Sequence, residues 1–394
     1  MDTVDIPILD PGFKSNPHAW YDHVRETRGP VVRVRLPTGV EAWLAIDHEI
    51  ARQLLNDIRL SKQSPGSPAH PLFQHLLTMD PPDHTRLRSI AAREFSPQRV
   101  RLLRPRVTAI AADLIDAMAR RGEADLIEMF ALPFPLTVIC ELLGVPPADE
   151  PRIRRWSAQL LAADLDEPAR VPDIADELRE YLLALARLKR QSPDDRLFTA
   201  LVSAHDAGEL SASELTAMGF LLLVAGHETT VSLIGNGVLA LLRHQLEWRR
   251  LCANPGLAPA AVEELLRYDS PLEVATARYA TAEISVDDVR IGPGEMVFVG
   301  LGAANHDARC FHDPARLDIA RADASEHVAF GHGIHYCLGA SLARLEGEVA
   351  FTELAQRCPA LTLAIAADEL RWKPGLIMRG LERLPVKTGS SSGD

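Results

Sequence analysis

Three features of this 394-residue sequence predict a mainly α-helical fold with small β-sheets. A capping box, Ser211-Ala-Ser-Glu214, opens an apolar segment that continues without proline to Leu242, about 32 residues or ~48 Å of helix. Helical periodicity also runs from Ser96 to Gly122 and recurs at about 136–143, 150–164 and 173–190. Strand patterns are confined to about residues 31–46 and 284–299.

Taken in order, residues 1–30 are polar and proline-rich, and Val31–Pro37 and Val40–Ile46 then flank Thr38-Gly39 as a hairpin. Between Ser61 and Pro82 five prolines break any period, which makes a long loop and a candidate lid. Ser96-Pro97 supplies an N-cap with proline at the first helical position, and a kink is expected at Pro105 before the stop at Gly122. A helix as long and apolar as that after Ser211 must pass through the core. Pro255 and Pro259 lead into a helix over Ala260–Asp269, and the strands of 284–299 are expected to turn at Gly292-Pro293-Gly294. A helix over 339–356 and a short hairpin close the chain, and the Gly/Ser tail 388–394 is expected to be disordered. With no internal repeat and no linker, a single domain over 1–394 is expected, β-rich at about 30–60 and 284–300.

Composition removes several classes of function. Hydrophobic residues make up 47% and charged residues 24%, enough apolar material for a core and too much for wholesale disorder. A net charge of -12 with interspersed arginines speaks against nucleic acid as a partner. Five widely spaced cysteines without a CxxC pair indicate neither a disulfide framework nor a zinc module. The start of the chain lacks a basic region followed by an apolar stretch, and apolar runs such as Gly219–Gly226 fall short of the ~18 residues of a membrane span. A soluble, unanchored, cytoplasmic protein is expected.

The chemistry concentrates in Phe330-Gly-His-Gly-Ile-His-Tyr-Cys337-Leu-Gly339, where three glycines surround a cysteine just before a helix. Glycines let the backbone turn sharply and approach a flat, bulky group. A cysteine near unpaired helix N–H groups favours the thiolate, the form a soft metal or haem iron takes as axial ligand. The alternative is an inert buried thiol, the reading given to Cys140, Cys252, Cys310 and Cys358.

Phe330, Gly333, Cys337 and Gly339 match the Phe-x-x-Gly-x-x-x-Cys-x-Gly signature of the cytochrome P450 family, which this chain resembles over almost its whole length. Three further motifs fall in that family's order. Ala225-Gly-His-Glu-Thr-Thr230 interrupts the long helix with residues that weaken helices; a threonine hydroxyl can bond back to a carbonyl one turn earlier and open the helix. The resemblance implies that Glu228 and Thr229 relay protons to iron-bound dioxygen; taken alone, the motif is equally a helix defect with a solvated acid. Glu264 and Arg267, three apart on one face, are a surface pair in most helices. The resemblance makes them a buried structural brace. His84 and Arg88, four apart, form either a solvated face or a cationic fork suited to a carboxylate. By resemblance they bind the haem propionates together with Arg278 and His335.

By the same analogy the substrate pocket is lined by Phe73, Leu222, Ala225, Val274, Ala275, Ile377 and Met378, each of which could equally be a core residue. The resemblance implies a P450 fold with haem b between the long central helix and the cysteine-loop helix. It implies a haem-thiolate monooxygenase that inserts one oxygen atom from O2 into a bulky hydrophobic molecule by hydroxylation or epoxidation. Electrons would come from NAD(P)H through a ferredoxin and its reductase, with docking expected on arginines such as Arg93, Arg101 or Arg344. The stretches Gly29–Gly39 and Met378–Val386 resemble soluble bacterial members that tailor polyketides, macrolides and other secondary metabolites. Terpenes, steroids and drugs are alternative substrates. A peroxide-driven or non-oxygenating haem-thiolate enzyme and a haem-based gas or redox sensor are the rivals in kind.

Overall fold

The computed structural model describes residues 3–64, 70–166 and 168–389. The chain forms two compact units, one of Met1–Ser61, Leu103–Leu132 and Thr229–Asp394, the other of Lys62–Leu102 and Pro133–Glu228. In chain order the helices begin with α1 (Pro11–Ser15), α2 (Pro17–Arg28), α3 (His48–Leu55), α4 (Asp83–Ala92) and α5 (Pro97–Ala119). They continue with α6 (Pro133–Leu143), α7 (Glu150–Asp166), α8 (Val171–Gln191), α9 (Leu197–Asp206) and α10 (Ala212–Ala225). The remainder are α11 (Glu228–Arg243), α12 (Gln245–Ala253), α13 (Ala258–Tyr268), α14 (Leu301–Ala304) and α15 (Ala340–Arg357).

The first unit carries the sheets. Its strands are β1 (Val4–Asp5), β2 (Val31–Arg35), β3 (Glu41–Ala45), β4 (Leu60–Ser61), β5 (Glu123–Asp125) and β6 (Arg278–Ala280). They are followed by β7 (Ile284–Val286), β8 (Val289–Ile291), β9 (Met296–Val299), β10 (Thr362–Leu363) and β11 (Pro385–Lys387). The largest sheet has the order β1-β2-β3-β9-β6-β4. Its β2–β3 hairpin runs from Val31 opposite Ala45 to Arg35 opposite Glu41, and Gly39 turns it at φ 82°. Side chains alternate between two apolar layers. Val31, Trp43, Ala45 and Val297 join Ile50, Leu54 and Leu55 of α3, whereas Val32, Val34, Leu44 and Phe298 join Phe13, Tyr21 and Val24 from α1 and α2. Both faces are therefore covered, unlike a surface hairpin with one wet face.

Two expectations change here. The strands of 284–299 do not form one hairpin about Gly292–Gly294: β7 and β8 turn at Asp287, whose φ of 47° suits a short polar side chain, and Gly292–Gly294 leads β8 into β9 of the large sheet. Ile284, Val286, Val289 and Ile291 all bury in the α3-side layer, which fixes that register. The tail does not loosen at Thr388, which is buried and donates its hydroxyl to the carbonyls of Ala119 and Gly122. Residues 390–394 lie outside the described residues.

In the second unit, Pro71–Phe73 and Leu76–Thr78 are short 3-10 turns within the candidate lid, and residues 65–69 fall outside the described residues. Phe73 meets Phe220 of α10 edge-on at 5.5 Å, His75 stacks on Phe220 at 5.8 Å, and His70 Nε2 lies 3.2 Å from Asp176 of α8. The segment from Ser211 is capped as expected, Ser211 Oγ accepting from Glu214 N and Glu214 accepting from Ser211 N. It is two helices, α10 and α11, opened at Gly226-His227. Over 212–243 it is the one helical stretch among the described residues long and apolar enough to cross a membrane, and 78% of its most apolar window is buried in the protein.

On α15, Glu346 is wholly buried, and desolvation lifts its carboxyl to about 8 against the opposing pull of the Thr230 hydroxyl. Its ordinary value is 4.5, so between pH 4.5 and 8 unfolding releases a proton and this group's contribution to stability falls as pH rises. Glu346→Gln should match the native protein near pH 4.5 and become progressively the more stable of the two up to pH 8, as read from thermal midpoints across that range. A pH-independent difference would contradict the assignment.

Candidate active site

Within the first unit the segment Phe330–Gly339 forms a tight loop before α15. Cys337 N donates to Phe330 O at 2.9 Å, Tyr336 N to Gly333 O at 3.0 Å and Gly331 N to Val328 O at 2.8 Å. Gly333 has φ 73°, and a Cβ there would stand 2.8 Å from Asn56 Oδ1 and 2.9 Å from Leu55 O, so only glycine allows the loop to lie against α3. Gly339 is the N-cap of α15, which leaves the first N–H groups of that helix beside the cysteine segment. Cys337 is exposed, whereas Cys140 and Cys358 are buried and desolvation pushes their thiols up.

The loop is held from behind. Glu263 accepts both Arg344 Nε at 2.6 Å and Nη2 at 3.0 Å and lies 3.2 Å from His327 Nε2. Arg344 also covers the Phe330 ring at 4.6 Å and donates to the Tyr336 hydroxyl at 3.2 Å. Burial alone would raise the Glu263 carboxyl, but His327 and Arg344 outweigh it and hold the group at about 2. Arg344, expected among docking arginines, is therefore part of the scaffold of the cysteine loop.

One residue further along α13, Glu264 and Arg267 form an ion pair with both members wholly buried, as the family resemblance implies and unlike the surface pair that spacing alone suggests. Arg267 donates Nε and Nη2 to the two Glu264 oxygens at 2.7 and 2.9 Å, and Nη1 to the carbonyls of Asn305 and Pro314. Glu264 also accepts from Asp318 N and Arg321 Nε. Such a pair stays buried because every donor and acceptor is answered; removing one partner typically costs about 3–5 kcal/mol.

Arg278, on β6, is 4% exposed and donates Nη1 to Thr276 O at 3.3 Å, and His335 is half-buried in the cysteine loop. In the second unit His84 and Arg88 lie one turn apart on α4, with His84 buried and its pKa lowered by desolvation and by the Arg88 charge. A neutral histidine beside an arginine, and a deeply buried arginine, suit an anionic ligand.

At the α10–α11 junction a Cβ on Gly226 would stand 2.3 Å from Leu222 O and 2.9 Å from Ile139, so only glycine permits this opening. His227, which the sequence did not single out, is wholly buried: its Nδ1 bonds Leu223 O at 2.7 Å, and its Nε2 lies 3.4 Å from Glu228 Oε1. Glu228 is buried and Thr229, the next residue of α11, is half-buried.

The Cytochrome P450 family model matches residues 255–366, which hold the brace, Arg278 and the cysteine loop. Cytochrome P450 107B1 of Saccharopolyspora erythraea is 44% identical, over 99% of this chain and 100% of that protein. The chain belongs to the cytochrome P450 family. The 6-deoxyerythronolide B hydroxylase of the same organism is 41% identical to this P450, covering 97% of this chain and 98% of the relative. The solved structure of the tirandamycin C-bound P450 monooxygenase TamI superposes with a TM-score of 0.89 at 39% identity, over 98% of this chain and 100% of that one. The protein is a P450 monooxygenase whose cofactor is haem b, with O2 as cosubstrate and NAD(P)H electrons arriving through redox partners.

The residues fit that cofactor: a cysteine in a glycine-lined loop, and a buried Arg278, a half-buried Arg88 and a buried His84 for propionates. The first unit brings together Cys337, Phe330, Gly339, His335, Arg278, Thr229 and the brace; the second holds His84, Arg88 and Glu228. Of the expected lining, Leu222 is buried and Ala225 exposed on α10, and Phe73 is half-buried against Phe220. Ala275 is 8% exposed, and Ile377 and Met378 are half-buried. Val274 is wholly buried in the layer with Phe13, Tyr21 and Phe298, so its side chain serves the core.

Glu263 has its folded value depressed from 4.5 to about 2, so it stabilises fully above pH 4.5 and loses that contribution as pH falls toward 2. Glu263→Gln should destabilise the holoenzyme near neutrality. In urea titrations the gap to the native protein should narrow from pH 4.5 down to the lowest pH at which the protein folds, and a constant gap would refute the pairing.

Proposed function

We propose that this P450 hydroxylates or epoxidises a bulky, hydrophobic polyketide- or macrolide-like molecule in the cytoplasm, receiving electrons from a ferredoxin and its NAD(P)H-dependent reductase. The observation that supports the oxygenase chemistry is the opening at Gly226, which comes just before the buried Glu228 and the half-buried Thr229. The substrate class is supported by relatives whose names carry 6-deoxyerythronolide B and tirandamycin C, and by an expected lining that is wholly apolar.

Haem, when bound, supplies the activation of dioxygen. The chain's own groups then have separate tasks. Cys337 would hold the haem iron through its sulfur, and the Glu263–Arg344–Tyr336 contacts would keep its loop in one shape. Arg278, Arg88, His84 and His335 would bind the two propionates, the arginines by charge and the histidines by hydrogen bonds. Glu228 would hold a proton, and the Thr229 hydroxyl would pass it on, a general-acid task suited to a buried carboxyl. The apolar side chains would orient the substrate by shape and exclude water from it.

The first test is a spectral titration of the ferric holoenzyme with 6-deoxyerythronolide B, tirandamycin C, a terpene and a steroid. A saturable shift of the Soret band toward high spin with one of the first two is expected. A shift confined to the terpene or steroid would overturn the substrate class, and a folded protein unable to hold haem would overturn the whole reading. Separately, Thr229→Ala should keep haem and substrate affinity while product formed per NAD(P)H falls on the order of 10²-fold. Full coupling in that variant would remove the threonine from the relay and favour a peroxide-driven or non-oxygenating enzyme.

A further inference from the structure

A lysine near the start of the chain is buried deep in the first unit. Lys14 is 3% exposed on α1, and its Nζ donates to Glu273 Oε2 at 2.7 Å, to Gly375 O at 2.9 Å and to Met378 O at 3.4 Å. An ammonium has three hydrogens, and all three are used. Glu273, 1% exposed, accepts on its other oxygen from the Tyr21 hydroxyl at 2.8 Å.

These acceptors belong to two distant segments that the same region draws together. Glu273 N donates to Ile377 O at 2.8 Å, Arg379 N to Pro271 O at 2.9 Å, and Leu272 bridges Met378. Glu273 O accepts from Gly302 N, and Ala275 N donates to Val299 O at 2.8 Å, so the first segment is also stitched to β9 and α14. Arg379 returns the contact by donating Nη1 to Lys14 O and Nε to Asp269. Ala275 on one segment, and Ile377 and Met378 on the other, are the residues assigned above to the substrate lining.

A salt bridge this dry stabilises a fold little beyond what apolar residues of the same volume would achieve. What it does supply is geometry: an ammonium with three fixed acceptors permits only one spacing of the segments that carry them. We propose that Lys14, with Glu273 and Tyr21, is a positioning cluster that sets the separation of the 272–275 and 375–378 segments and so decides which bulky molecules the P450 accepts. The proposal rests on the haem-thiolate reading and on the lining assignment above. It concerns residues behind the lining, which touch no substrate.

Two azoles separate this role from simple stability. Imidazole asks little beyond access to the ferric haem, whereas clotrimazole, a bulky triaryl azole, must also fit the surrounding side chains. The variants are Lys14→Met/Glu273→Gln, which removes both charges at near-constant volume, and Tyr21→Phe, which keeps the ion pair and loses one hydrogen bond. In the ferric holoenzyme the double variant should weaken clotrimazole about tenfold or more while imidazole stays within about twofold, and Tyr21→Phe should move clotrimazole about threefold. Both azoles weakening in parallel, or neither changing in both variants, would overturn the positioning role and leave the function standing. If the native holoenzyme bound neither azole, the haem-thiolate reading itself would fail.

Discussion

A carboxylate and a guanidinium that never meet water organise the region around the cysteine. Once Glu264 and Arg267 are buried, their remaining hydrogen-bonding capacity must be answered, and the chain is recruited to answer it. Arg267 takes the carbonyls of Asn305 and Pro314, and Glu264 takes the amide of Asp318. Asn305, once fixed, uses its side chain to donate to Ser270 Oγ and to accept from Val328 N. Val328 O then receives Gly331 N, and Phe330 O receives Cys337 N. An unbroken series of hydrogen bonds thus runs from the brace to the cysteine. The position of Cys337 is inherited from an ion pair on another helix.

Motifs whose chemistry is local were legible in the sequence. Glu264 and Arg267 are three residues apart, His84 and Arg88 four, and the glycines of the cysteine loop are within ten residues of one another, so spacing brought each group to notice while the family resemblance supplied its role. The helices at 150–164 and 173–190 emerged for the same reason, as α7 and α8 of nearly those bounds. What stayed hidden pairs across long separations. Glu263 meets Arg344 across 81 residues and Lys14 meets Glu273 across 259, and no periodicity marks either end. His227 was passed over because its partner is the next residue, where ring orientation decides contact and sequence is silent.

Charged groups in this P450 divide by how they are answered. Glu263, held by Arg344 and His327, stays ionised far below the usual carboxylate range, whereas Glu346, beside one hydroxyl, keeps its proton at neutral pH. The two lie on α13 and α15, both in the first unit. Burial acts on both in the same direction, and the neighbours alone reverse the outcome for one of them. Local surroundings, more than residue type, decide the state of each group.

The large sheet has a consequence for how this protein is made. Strand β3 is paired in parallel with β9, Trp43 opposite Val297, so roughly 250 residues separate the two sides of that ladder. During synthesis at about 5–20 residues per second, the β2–β3 hairpin leaves the ribosome ~10–50 s before the strand that completes it. Through that interval its inner edge offers unpaired amides and carbonyls flanked by Trp43 and Leu44 to any passing strand. The nascent chain therefore carries an open strand edge at a stage when neither the brace nor the cysteine loop yet exists.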